Sequence, residues 1–77
     1  MLYEILLYDG WSSSPAYILL DGVEGETPDG ALRDNIDGLI QKVRDRFCLS
    51  HDEVSDVRIR ETLYLLKPDG LICARNS

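Results

Sequence analysis

"GETPDGALRDNIDGLIQKVRDRF", residues 25–47, carries the most ordered pattern in the chain. Leu32, Ile36, Leu39, Ile40, Val43 and Phe47 recur at steps of four, three, one, three and four. That is one apolar stripe on a 3.6-residue period, the mark of an amphipathic helix. Thr27 stands where an N-cap accepts a backbone N–H, and Pro28 at the first helical position has a suitable φ and no donor to lose. Asp29 favours the positive end of the helix dipole, and along the helix the acids lead and the bases trail, which suits the dipole again. Gly38 falls in a polar sector and costs about 1 kcal/mol relative to alanine, too little to undo the helix.

Upstream, residues 2–8 are rich in aromatic and branched side chains and read as a first strand, broken by Asp9-Gly10. The loop "DGWSSSP" (9–15) leads to a second strand, "AYILL" (16–20), closed by Asp21-Gly22. A polar, glycine-punctuated connection then reaches the helix. Downstream, "LSHDEV" offers Ser50 and Glu53 at capping-box spacing, with Leu49 and Val54 as a hydrophobic staple, so a short helical turn is expected near 51–55. Residues 57–66, "VRIRETLYLL", read as a third strand. "KPDG" (67–70) reads as a turn with Pro68 suited to type I, and 71–75 as the returning strand. The expectation is a single α+β domain over residues 1–77. It has two layers, a four-stranded antiparallel or mixed sheet in the order β-β-α-β-β, with one long helix on one face.

Composition narrows the function. Of 77 residues, 44% are hydrophobic and 29% charged, which suits a folded chain rather than a disordered one. Residues 1–40 hold eight acids and one base, and residues 41–77 six acids and seven bases, for a net −6. Without clustered Lys and Arg, nucleic acid is not an expected direct partner. No apolar run approaches the roughly 18 residues of a membrane span. Two cysteines are too few for a stapled secreted scaffold, which points to buried thiols in a reducing cytoplasm.

The strands raise the central question. Tyr3, Ile5 and Leu7 oppose Leu2, Leu6 and Tyr8, with only Glu4 breaking the second set. Tyr17 and Leu19 oppose Ile18 and Leu20; Leu63 and Leu65 oppose Tyr64 and Leu66; Leu71 and Cys73 oppose Ile72 and Ala74. Both faces of the sheet are apolar, and one helix covers one face. Monomers rarely expose a contiguous apolar patch beyond a few hundred Å². A second face buried by a homodimer or partner protein is therefore expected, against coverage by residues 9–15 or the chain ends. Trp11 is a candidate interface aromatic by the same reasoning, although a tryptophan there also suits folding back over its own core.

No chemistry is spelled out. Cys48 and His51 form C-x-x-H with Cys73 as a conceivable third ligand, but the second half of a zinc site is missing. The same pair lacks an orienting group for nucleophilic catalysis. Calcium-loop spacing and glycine-rich phosphate loops are absent, and "CARNS" has no terminal Gly-Gly for conjugation. No cofactor or metal is expected, and binding rather than enzymatic function is the leading reading, with a small thiol-dependent enzyme as an alternative. Asp21, Glu24, Glu26, Asp29, Asp34 and Asp37 form an acidic run that, less Arg33, carries −5. It is either a solvated rim or a docking patch for a basic partner protein, with a mimic of nucleic-acid phosphate as the extreme form of the second.

The stretch "YILLDGVEGETPDGALRDNIDGL" resembles the strand-to-helix passage of HicB-type antitoxins, with Gly25, Thr27, Ala31 and Leu32 in matching places. The family's common acid before the alanine is Gly30 here, and its Pro-Gly turn and third strand before the helix are missing. The resemblance covers under a third of the chain. It implies an acidic, dimer-forming protein that neutralises a small basic toxin.

Overall fold

The computed structural model describes residues 1–10, 13, 14 and 16–76; the Trp11 expectation lies outside the described residues. The elements run β1 (Leu2–Asp9), β2 (Ala16–Glu24), α1 (Pro28–Phe47), α2 (Asp56–Arg60), β3 (Leu63–Lys67) and β4 (Gly70–Cys73), ending in a 3-10 turn at Ala74–Asn76. All strand pairings are antiparallel, in the order β2-β1-β3-β4. The long helix packs on one face of this four-stranded sheet, giving the α+β architecture expected from the sequence.

Alternation in the strands and periodicity in the helix meet in one core. Tyr3, Ile5 and Leu7 of β1, Val23 of β2, and Leu63 and Leu65 of β3 are buried on the helix side. Leu32, Ile36, Leu39, Ile40 and Val43 of α1 face them, and Ile59 and Ala74 close the ends. The helix boundaries follow from local chemistry. Thr27 Oγ1 accepts the Gly30 N–H at 3.1 Å, and the Ala31 N–H reaches the Thr27 carbonyl at 2.9 Å. At the other end Cys48 takes a left-handed conformation (φ 53°) and its N–H bonds back to the Arg44 carbonyl. This is a helix-stop geometry usually given to glycine.

The expected second strand is too short. A register irregularity opposite Ile5 and Leu6 lets β2 run on through Asp21-Gly22. The bulge absorbs one residue, so Val23 is delivered to the core and Asp21 to the helix side, where its carboxylate meets Lys42 Nζ at 2.8 Å. A bulge shifts side-chain parity by one, which simple alternation cannot anticipate. The expected third strand is too long for a related reason. Ser55 caps a short helix, its Oγ accepting the Arg58 N–H at 3.3 Å, so residues 56–60 are helical and only 63–67 are strand. The capping box at Ser50 is present. Ser50 N–H donates to Glu53 Oε1 at 3.1 Å and Glu53 N–H to Ser50 Oγ at 3.2 Å, opening a turn over 51–53. The hairpin is tight, Lys67 pairing with Gly70, and Gly70 at φ +145° adopts a backbone that side-chain-bearing residues rarely reach.

Two glycines respond oppositely to a methyl group. A Cβ on Gly25 would stand 2.5 Å from Ala31 Cβ and 2.7 Å from the Ala31 Cα, which is backbone of α1 and cannot swing away. Gly38 faces open space in the helix. Gly25→Ala is expected to destabilise the fold by about 1–3 kcal/mol through overpacking, while Gly38→Ala stabilises it by up to about 1 kcal/mol. Thermal melts of the two variants check the opposite signs.

Candidate interaction surfaces

The sheet face away from α1 follows from the pairing register. Leu6 pairs with Leu19 and Tyr64, Tyr8 with Tyr17, Glu4 with Leu66, Leu66 with Leu71, and Tyr64 with Cys73. Side chains at paired positions share a face, so these residues form one continuous surface. Leu2, Tyr17, Leu19, Leu66 and Leu71 on it are exposed, Tyr17 at 47% and Leu19 at 57%. No described element therefore covers this face.

An aromatic cluster occupies one end. The Tyr8 and Tyr17 rings lie 5.2 Å apart and tilted, and Tyr17 meets Tyr64 edge-on at 5.4 Å. These are the arrangements that ring quadrupoles favour. Burial pushes the Tyr64 hydroxyl above its ordinary value, the neighbouring Cys73 thiol adds to the rise, and the charge of Arg75 opposes it. Polar groups sit at the opposite end, with Glu4 and Glu24 on β1 and β2.

The acidic run is spread over several parts of the fold. Asp21 is tied to Lys42 on the helix side of β2, and Glu24 lies 3.4 Å from the amino terminus. Glu26 and Asp29 are exposed around the start of α1, and Asp34 and Asp37 lie on its solvent side. Cys48 and His51 are exposed beyond the helix end, whereas Cys73 sits half-buried on β4. The expectation of two buried thiols is therefore wrong for Cys48, which the left-handed cap turns outward. Both thiols are free, and among the described residues no group of three His, Cys, Asp or Glu is placed to hold a metal ion. Among the described residues no helix is long and apolar enough to cross a membrane.

The sequence does not disclose a second surface, a groove of about 890 Å³ between the C-terminal half of α1, the 48–55 loop and α2. Leu7 and Val43 form its inner side, Leu49 and Val54 the loop side, Ile59 the α2 side, and Phe47 its lip. Phe47 continues the helix stripe yet is 45% exposed where the chain turns away at Cys48, with the Arg46 guanidinium over its ring at 5.8 Å. Arg44 holds the walls together. Its side chain is only 3% exposed and donates to the Ser50 carbonyl at 3.0 Å and to the Asp56 carboxylate.

Three carboxylates are held below their ordinary values. Asp21, ordinarily 3.8, is lowered first by the Lys42 hydrogen bond, Asp56, also 3.8, by that of Arg44, and Glu53, ordinarily 4.5, by the Ser50 N–H. Their pairing stabilises the native state above the unfolded carboxylate range, and that contribution is lost as pH falls through the depressed native values. The melting temperature is expected to drop on acidification below about pH 4. Asp56→Asn should make that acid limb shallower, and thermal melts at stepped pH values check both.

No family model, curated protein or solved structure matches the chain. The class is defined by the fold itself: a small two-layer α+β domain, one sheet face packed under a helix and the other covered by none of the described elements.

Proposed function

We propose that this chain is a non-enzymatic protein-interaction module that works by pairing with a second copy of itself through the open sheet face. The observation that carries the reading is the run of apolar and aromatic side chains from Leu19 across Leu6 and Tyr64 to Leu71 that no described element covers. Strands of eight, nine, five and four residues, at about 3.4 Å per residue and about 4.8 Å apart, give a footprint of about 400 Å² per copy. Side-chain relief brings this toward the roughly 800 Å² per partner of an ordinary interface, and a moderate rather than obligate dimer is expected.

Charge supports a second copy in one orientation. Acids mark one end of the face, at Glu4 and Glu24, and the Tyr8–Tyr17–Tyr64 cluster marks the other. An antiparallel two-fold arrangement brings unlike ends together, whereas parallel stacking sets Glu4 against Glu4. The two free thiols accord with a reducing, cytoplasmic setting.

Solution mass by light scattering, from low micromolar to near-millimolar concentration, is the test. A concentration-dependent rise to twice the 8.7 kDa chain mass is the expected result. A strict monomer over the whole range overturns self-association.

A further inference from the structure

We infer that Arg46 is an edge guard: it occupies the outer side of β2 at Leu19 and so bars a second copy of this chain from extending the sheet strand to strand. The guard itself needs nothing from the open face. That wild-type association is thereby confined to the face rests on the self-association proposed above.

The strand order leaves β2 and β4 with a strand neighbour on one side each. β4 has four residues and passes into the 3-10 turn, whereas β2 has nine. Which groups of β2 point outward is fixed by the hydrogen bonds of β1. The Tyr8 N–H donates to the Thr62 carbonyl at 2.8 Å, so Tyr8 turns its backbone toward β3. These groups alternate sides along a strand, so Leu6 does the same. Tyr17 and Leu19, paired with Tyr8 and Leu6, therefore turn their N–H and C=O away from β1. A row of this kind is a template for another strand.

The row is uneven. Its second half is spoiled for pairing by the bulge and by the charges of Asp21 and Glu24. Ala16–Leu20, the run AYILL, has no charge and no proline, a composition that favours strand addition. It is also self-complementary. In antiparallel pairing centred on Ile18, Tyr17 of one copy stands opposite Leu19 of the other, and such a pair exchanges both backbone hydrogen bonds. The Leu19 carbonyl is thus an acceptor that this pairing requires.

Arg46 stands at that carbonyl. Its Nη1 donates to the Leu19 oxygen at 3.4 Å, where an incoming N–H would have to stand, and its guanidinium lies 5.8 Å from the centre of the Phe47 ring. A planar guanidinium suits this double use, an edge on a carbonyl and a face on a ring. One turn earlier on α1, Lys42 Nζ holds the Asp21 carboxylate at 2.8 Å, so the helix sends two cations over β2. Charge placed on an edge strand works against edge-to-edge pairing.

The experiment compares full-length Arg46→Ala with the wild type at matched concentrations, by light scattering and by amide hydrogen exchange. Arg46 is exposed, so its truncation removes no core contact. It also makes a chain of net −6 more negative, which opposes association. The average mass of Arg46→Ala is nonetheless expected to rise about twofold or more above that of the wild type. The Tyr17 and Leu19 amides, solvent-facing in the wild type, should exchange at least about tenfold more slowly. Arg33→Ala makes the same charge change elsewhere on α1 and should match the wild type. The inference is overturned by an Arg46→Ala mass that follows the wild type. It is equally overturned by the same growth in Arg33→Ala, which would mean a general charge effect, or by growth that leaves the two amides exchanging freely, which would place the new contact elsewhere. Each reading is of variant against wild type, so it holds whether the wild type is one chain or two. Failure of the face shows separately, in the wild type's own mass.

Discussion

Leu65→Ala is expected to remove about 3 kcal/mol of folding stability and to lower the melting temperature by roughly 12–24 °C. Leu65 is 0% exposed at the centre of β3, paired with Ile5 on one side and Ile72 on the other, beneath the α1 stripe. Removing three carbons there loses their transfer free energy and leaves a cavity that the surrounding strands cannot easily collapse into. A chain of 77 residues has a total stability of only about 4–12 kcal/mol, so one such change takes a large share of it. Urea and thermal melts measure the loss, and a change below about 1 kcal/mol would contradict the placement of Leu65 in a close-packed core. The neighbouring Leu66 points to the opposite face and is 41% exposed. Leu66→Ala should cost under about 0.5 kcal/mol in the monomer. If its cost grows with protein concentration, Leu66 is being buried by association.

The contrast between adjacent leucines also marks what the sequence made legible. The helix from Pro28 to Phe47 was readable because its cap, its proline and its stripe agree with one another. The two-faced character of the sheet was readable from alternation in residues 2–8 and 63–66, where every residue obeys the period of two. What escaped notice is local backbone geometry. "VRIR" at 57–60 alternates as a strand would, yet over four residues the same letters fit one helical turn, and the Ser55 hydroxyl decides in favour of the helix. Ile59 is buried while Val57 is 64% exposed; a strand would set these two on one face, whereas on a helix they stand about 200° apart. A strand over those residues would leave no α2, and the groove that α2 completes exists only because the segment is helical.

The bulge in β2 is a second case. Asp21-Gly22 has the composition of a turn, and turn composition near a strand end is usually read as its stop. Here the strand continues because Asp21 finds Lys42 on the helix and Val23 finds the core, contacts that exist only once α1 is packed. Of the acidic run, the sequence supplied its membership but not its spread. Asp21 is engaged structurally, Asp34 and Asp37 are solvated on α1, and the carboxylates that rim the groove, Asp9, Glu53 and Glu61, come from outside that run altogether. They are distant in sequence and are brought together by the fold, so no spacing rule could have grouped them.

Leu19→Lys carries the largest expected effect on self-association. Leu19 lies opposite Leu6 on the open face, is 57% exposed and is not part of the core. In the separated chain its replacement touches no buried group, so monomer stability should change by less than about 0.5 kcal/mol. In a face-to-face dimer the new ammonium would be carried into an apolar interface with no carboxylate paired beside it, since the strand positions flanking Leu6 bear Leu19 and Tyr64. Desolvating an unpaired charge costs several kcal/mol, and 3 kcal/mol alone corresponds to a loss of more than about 100-fold in affinity. The variant should therefore stay monomeric at concentrations where the wild type is dimeric, with its monomer melting temperature essentially unchanged. Sedimentation or light scattering paired with a thermal melt separates the two effects. A Leu19→Lys chain that still dimerises would place the contact on another surface, the exposed edge of β2 or β4, and would leave the apolar face to a different partner.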